Sequence, residues 1–171
     1  VNPDYPHHIS QWFDLAPRID RIRQMLNTRE DLSVKDFMEI QTDHRSLMVD
    51  LFRKEIIDEL EKNENMPSTH KKSLQLLNEW DAVYRKDEPA PAIFEQFYLI
   101  FLRNLIQDEL GEDLYRDYVG SKILVRNLMK NVWENPECSW CDDVTTPDHR
   151  ETFGELIRTS FDQTIDTLSD I

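Results

Sequence analysis

Glycine is what this sequence lacks. Only Gly111, Gly120 and Gly154 occur in 171 residues. That is too few for a β-fold whose tight turns need positive φ, and too few for a glycine-rich phosphate cradle. Apolar residues recur instead at three- and four-residue spacing among Leu, Glu, Lys and Arg, which favour helix. The expected fold class is all-α, a single domain of about six helices. A chain of this length buries roughly 70% of its unfolded surface, so no disulfide or metal staple is required to hold it together.

Residues 1–15, with Pro3 and Pro6 and no period, read as an extended lead-in to a helical stretch over 16–171. Pro17 suits the first turn of a helix over 17–27, with Ile19, Ile22, Met25 and Leu26 on one face. Ser33 and Asp36 form a variant capping box. The stripe that follows, from Phe37 through Ile40, His44, Leu47, Leu51 and Ile56 to Leu60, predicts one unbroken helix of about seven turns. A third helix opens near Thr69 and carries Leu74, Leu77 and Trp80. Residues 86–91 form a loop. The fourth helix has a wide face of Ile93, Phe94, Phe97, Tyr98, Phe101, Leu102, Leu105 and Ile106, suited to a central position. Gly111 closes it at C′, where a left-handed residue is cheap. A short segment over 112–118 leads to a fifth helix, capped by Ser121 and carrying Ile123, Leu124, Leu128 and Val132. Residues 135–147 form an irregular connection ordered by Trp140. The last helix is expected from near Asp148, with Phe153, Leu156, Ile157, Ser160, Phe161, Thr164, Ile165 and Leu168 on one stripe.

A formal charge of −14 argues against nucleic acid, whose phosphates demand cations, and against anionic membrane surfaces. No apolar run approaches the roughly 20 residues of a membrane span, and no basic segment followed by an apolar stretch marks a leader. Di-iron helices need Glu followed three residues later by His, and zincins need His-Glu-x-x-His; neither pattern occurs. No nucleophile elbow and no Walker loop is present. Cys138 and Cys141 have the spacing of half a zinc knuckle, but a closed site needs four ligands, so they read as two ordinary loop cysteines. His7 and His8 read as polar surface, and His44 as a satisfied buried histidine beside Asp43.

An ordered series of short motifs carries further information. Tyr5-Pro6 and Trp12 precede Ala16-Pro17-Arg18-Ile19-Asp20-Arg21-Ile22. Then come Leu32-Ser33-Val34-Lys35-Asp36-Phe37 and Ile40-Gln41-Thr42-Asp43-His44-Arg45-Ser46, followed by Leu76-Leu77-Asn78-Glu79-Trp80-Asp81. Trp140-Cys141-Asp142-Asp143 and Glu151-Thr152 complete the series. In this order and with these gaps the chain resembles the β-chain of the penicillin amidases (penicillin and acyl-homoserine lactone acylases), across nearly its whole length.

That resemblance implies an N-terminal nucleophile hydrolase. In such an enzyme the serine that opens the β-chain attacks an amide, its own α-amine acts as base, and an acyl-enzyme forms and is hydrolysed. This chain begins with Val1, so the nucleophile and the oxyanion asparagine are expected outside it. The chain is expected to be an excised helical insertion of a larger αββα enzyme. Its implied partners are the rest of that enzyme, namely the nucleophile-bearing β-chain core and the α-chain, and a small N-acyl amide substrate. Arg18 matches the family arginine that supports the oxyanion asparagine and substrate. Arg21 is expected to pair with Asp14 or Asp20. Calcium is possible in the parent enzyme, but one family ligand position is Ile9 here, so calcium binding by this segment is not expected. A periplasmic or exported location is likewise an implication of the family. The alternative reading is a freestanding acidic helical interaction module that binds a partner through its acidic surface or through an apolar groove, for which the aromatic-rich fourth helix is the candidate.

Overall fold

The computed structural model describes residues 6–8, 10 and 13–169. Among them the chain forms seven α-helices: α1 (Pro17–Leu26), α2 (Val34–Gln41), α3 (Leu47–Leu60), α4 (Ser68–Glu79), α5 (Ala90–Val119), α6 (Lys122–Glu134) and α7 (Phe153–Ser169), with one 3-10 turn, Ser139–Cys141. The only bridge of β type among these residues is an isolated antiparallel one between Arg45 and Val83. The fold is all-α, as its glycine poverty and helical periodicity require.

The wide apolar face of α5 makes it the centre. It packs most extensively on α7, and also on α4 and α6, while α3 bridges α4 and α7. Ile93, Phe94, Phe97, Phe101, Leu102, Leu105 and Ile106 are buried from α5, and Leu156, Ile157, Phe161 and Ile165 meet them from α7. Trp133 of α6 stands edge-on to Phe52 and Phe101, each ring centroid 4.8 Å away, and 5.0 Å from Phe153. Fully burying a ring such as Phe52 or Phe101 is worth about 2–3 kcal/mol, so this aromatic layer contributes substantially to holding the bundle together. On α6 the fully buried positions are Val125, Met129 and Val132; Ile123, Leu124 and Leu128 lie at the edge of that stripe, half-buried.

Several elements differ from expectation. The long second helix is two helices, because residues 42–46 send their hydrogen bonds elsewhere. Ser46 donates its backbone N–H to Ala82 and the His44 carbonyl accepts from Tyr84, while the Thr42 hydroxyl returns to the Met38 carbonyl at 2.9 Å. Each such bond competes with the helical ladder. His44 therefore lies in the break and is exposed, not buried. Gly111 has φ +69° and ψ 172°, a conformation essentially confined to glycine. It bends α5 instead of ending it, and helix resumes over 112–119. The last helix starts at Phe153, five residues late, because Thr152 and Glu155 form a capping box: the Glu155 N–H reaches the Thr152 hydroxyl at 3.2 Å and the Thr152 N–H reaches the Glu155 carboxylate at 2.8 Å. Trp140 is 41% exposed and does not order the preceding connection; the buried member there is Cys141.

Candidate functional site

The N-terminal lobe is built by α1 and α2, and neither helix contains a fully buried residue. Pro17 in the first turn sets the start of α1. The capping box of α2 is complete, with the Ser33 N–H on the Asp36 carboxylate at 2.7 Å. Arg18 and Arg21, one helical turn apart on α1, both act on Asp43 in the break after α2. Arg21 donates through Nε at 2.9 Å and through Nη2 at 2.7 Å, a two-pronged pairing. The Asp43 carboxyl is held below its ordinary range, first by these bonds, against the opposing effect of burial, and then by the charges of Arg21 and Arg18. The Arg21 guanidinium is correspondingly raised, chiefly by the same hydrogen bond. Arg21 thus pairs with Asp43, across the two helices, and not with Asp14 or Asp20. Asp14 pairs with Arg126 of α6, and Asp20 with Arg23.

The geometry fixes one arginine and presents the other. Arg21 and Asp43 neutralise each other and clamp the end of α2 to α1. Arg18, exposed on the same helix, carries the guanidinium that can donate to a carboxylate or carbonyl oxygen. Beside them a cleft of about 380 Å³ opens between α1 and α2, floored by Met25, Leu32 and Ile40 and rimmed by Arg29, Asp36 and Glu39. Phe13, Val34, Phe37 and Met38 stand exposed around the lobe. The hydroxyl that lines this cleft, on Thr28, donates to the Met25 carbonyl at 2.7 Å.

Other expected positions separate from this site. His7 and His8 are exposed. Trp12 and Ile9, like Tyr5 and Val1, lie outside the described residues. Cys138 and Cys141 lie in the connection before α7, with Cys141 buried and Cys138 half-buried. Among the described residues no three His, Cys, Asp or Glu side chains are grouped so that they could hold a metal ion. Two features had no signal in the sequence. His70 of α4 lies between the Thr69 hydroxyl at 3.1 Å and Asp162 of α7 at 3.2 Å, with Phe161 edge-on at 5.9 Å; it ties α4 to α7. Glu109 of α5, beside Asp108, has its carboxyl pushed up to about 7 by burial and by its hydrogen bond to Asp108.

The family model for penicillin amidase matches residues 1–171. The chain belongs to the penicillin amidase family. No curated protein matches it. The motifs by which the chain resembles penicillin amidases fall at the boundaries of its helices. Arg18 and Arg21 lie in α1, Ser33 and Asp36 cap α2, and Asp43 closes the Arg21 clamp. Trp80 ends α4 and donates its indole N–H to the Val83 carbonyl at 2.9 Å. The last motif is a polar mesh: the Asp143 N–H reaches Glu151 at 3.0 Å, the Glu151 N–H reaches Asp142 at 3.2 Å, and Thr146 donates to Glu151 at 2.8 Å. In this penicillin amidase segment the matching residues mostly secure turns, and Arg18, Val34 and Phe37 among them stand exposed.

Proposed function

We propose that this chain is the helical part of an amidohydrolase that cleaves linear amides, such as N-acyl side chains, through an N-terminal serine lying outside it. The observation that carries the reading is the family match over residues 1–171. In this reading the α1–α2 lobe walls the acyl-binding cleft. Arg21 and Asp43 hold α1 in register, and Arg18 reaches toward the oxyanion asparagine and the substrate. The partner of the lobe is the remainder of the same enzyme, which the exposed Val34, Phe37 and Met38 would meet, and the parent enzyme is exported or periplasmic. The aromatic face of α5 is consumed by the core, so a freestanding interaction module would have to use its acidic surface and not an α5 groove.

The test compares the isolated chain with the full-length protein on chromogenic phenylacetyl and long-chain acyl anilides. Turnover is expected from the full-length protein and not from the isolated chain. Arg18→Ala in the full-length protein should lower kcat/KM by about tenfold or more, with Arg18→Lys intermediate. Hydrolysis by the isolated chain, or a full-length Arg18→Ala enzyme of undiminished kcat/KM, would sink the assignment.

A further inference from the structure

The connection between α6 and α7 holds a feature that amide hydrolysis does not use. The Cys138 and Cys141 sulphurs lie 3.8 Å apart, and both are free thiols. Their closeness follows from the backbone. Cys138 is the residue before the 3-10 turn Ser139–Cys141, and the Cys141 N–H closes on the Cys138 carbonyl. In a turn of this type residues three apart eclipse, so both side chains leave the same side. A disulfide requires about 2.05 Å between sulphurs. The two atoms are already in van der Waals contact, so a change of side-chain torsion, without displacement of a distant element, brings them into bonding range.

We propose that Cys138 and Cys141 close into a reversible disulfide when the protein meets a small-molecule disulfide such as oxidised glutathione. The half-buried Cys138 attacks first. Its thiolate bonds to one sulphur of the oxidant, the oxidant's S–S bond breaks, and one small thiol departs carrying the proton that Cys138 gave up. Cys141 then attacks the Cys138 sulphur, and the second small thiol leaves with the Cys141 proton. Two protein thiols are oxidised and one external disulfide is reduced to two thiols.

The two cysteines differ in the way this order needs. Cys141 is 3% exposed, and burial, followed by the proximity of Cys138, pushes its thiol up to about 12. It is therefore a poor first nucleophile and inaccessible to an external reagent, but it is well placed to resolve a bond formed on Cys138. The neighbouring Glu137 and Glu109 oppose thiolate formation at Cys141, which argues for a slow structural staple and against a dithiol oxidoreductase. The closed ring would stiffen a connection that already lies on α5, where the Val144 N–H donates to Asp108 at 2.9 Å.

The experiment treats the purified protein with oxidised glutathione, quenches in acid, denatures, alkylates with N-ethylmaleimide and reads the intact mass. Both alkylation sites should disappear together with no retained glutathione, and dithiothreitol should restore both. Cys141→Ser should stop at a stable glutathione adduct on Cys138, and Cys138→Ser should react at least about tenfold more slowly than the wild type. Two alkylatable thiols persisting in the wild type, a stable glutathione adduct on it, or a disulfide-linked dimer would each overturn the proposal. The wild-type mass alone decides, should either variant fail to fold. The outcome is independent of any test of amidase activity.

Discussion

Asp43 is held ionised by two arginines on a neighbouring helix, and that arrangement has a definite pH signature. Its folded pKa lies below the ordinary aspartate value. The pair's contribution is therefore present above about pH 4 and is lost as the pH falls through the folded value. Because Asp43 and Arg21 are only partly buried, solvent screening limits the coupling to about 1 kcal/mol. A double-mutant cycle of Arg21→Met and Asp43→Asn should recover that value at pH 7 in the hydrogen exchange of α1 amides, and the value should shrink as the pH is lowered below about 4. Glu109 behaves in the opposite sense. Its folded pKa is raised to about 7, so the native state binds a proton that the unfolded chain has released, and stability declines as the pH rises from about 4 through 7. Glu109→Gln should raise the unfolding free energy at pH 8 by of order 0.5 kcal/mol, a figure reduced for the exposure of the residue, and should change little at pH 4. Urea unfolding at the two pH values checks this.

The helices divide by how their ends are secured and by what they cover. Thr152→Ala removes the cap of α7, which lies against the centre of the bundle, and should cost about 1 kcal/mol of global stability in urea unfolding. Ser33→Ala removes an equivalent cap from α2, but α2 contains no fully buried residue. Its loss should appear as faster amide exchange in α1 and α2, with the global midpoint unchanged. The same division explains what the sequence made legible. The stripes of α5 and α7 were readable because burial there follows the helical period residue by residue. The split between α2 and α3 was not, because Thr42-Asp43-His44 continues an acceptable helical pattern. It is broken by partners at Ala82, Tyr84 and Arg21, which no local window contains. The start of α7 was misplaced for a different reason. Thr146-Pro147 and Thr152-Phe153-Gly154-Glu155 both look like helix openings, and only the second has its reciprocal cap. Arg18 could be named from the family pattern alone, whereas the identity of Arg21's partner needed three dimensions.

At the scale of the molecule, one layer of aromatic rings joins four helices. Phe52, Phe101, Trp133 and Phe153 come from α3, α5, α6 and α7 and meet around a common centre. Phe101→Ala should cost about 3–5 kcal/mol, a large share of the stability of a domain of this size, and urea unfolding should show it as a single cooperative shift. The side chains that cover α5 come late in the chain. Asn104 meets Ser160 at 3.0 Å across 56 residues. A ribosome makes roughly 5–20 residues each second, so the phenylalanine-rich face of α5 emerges roughly 3–11 seconds before α7 exists to cover it. During biosynthesis that face is a long-lived sticky surface. The nascent chain should therefore call on holding chaperones in proportion to how slowly the stretch between Asn104 and Ser160 is translated.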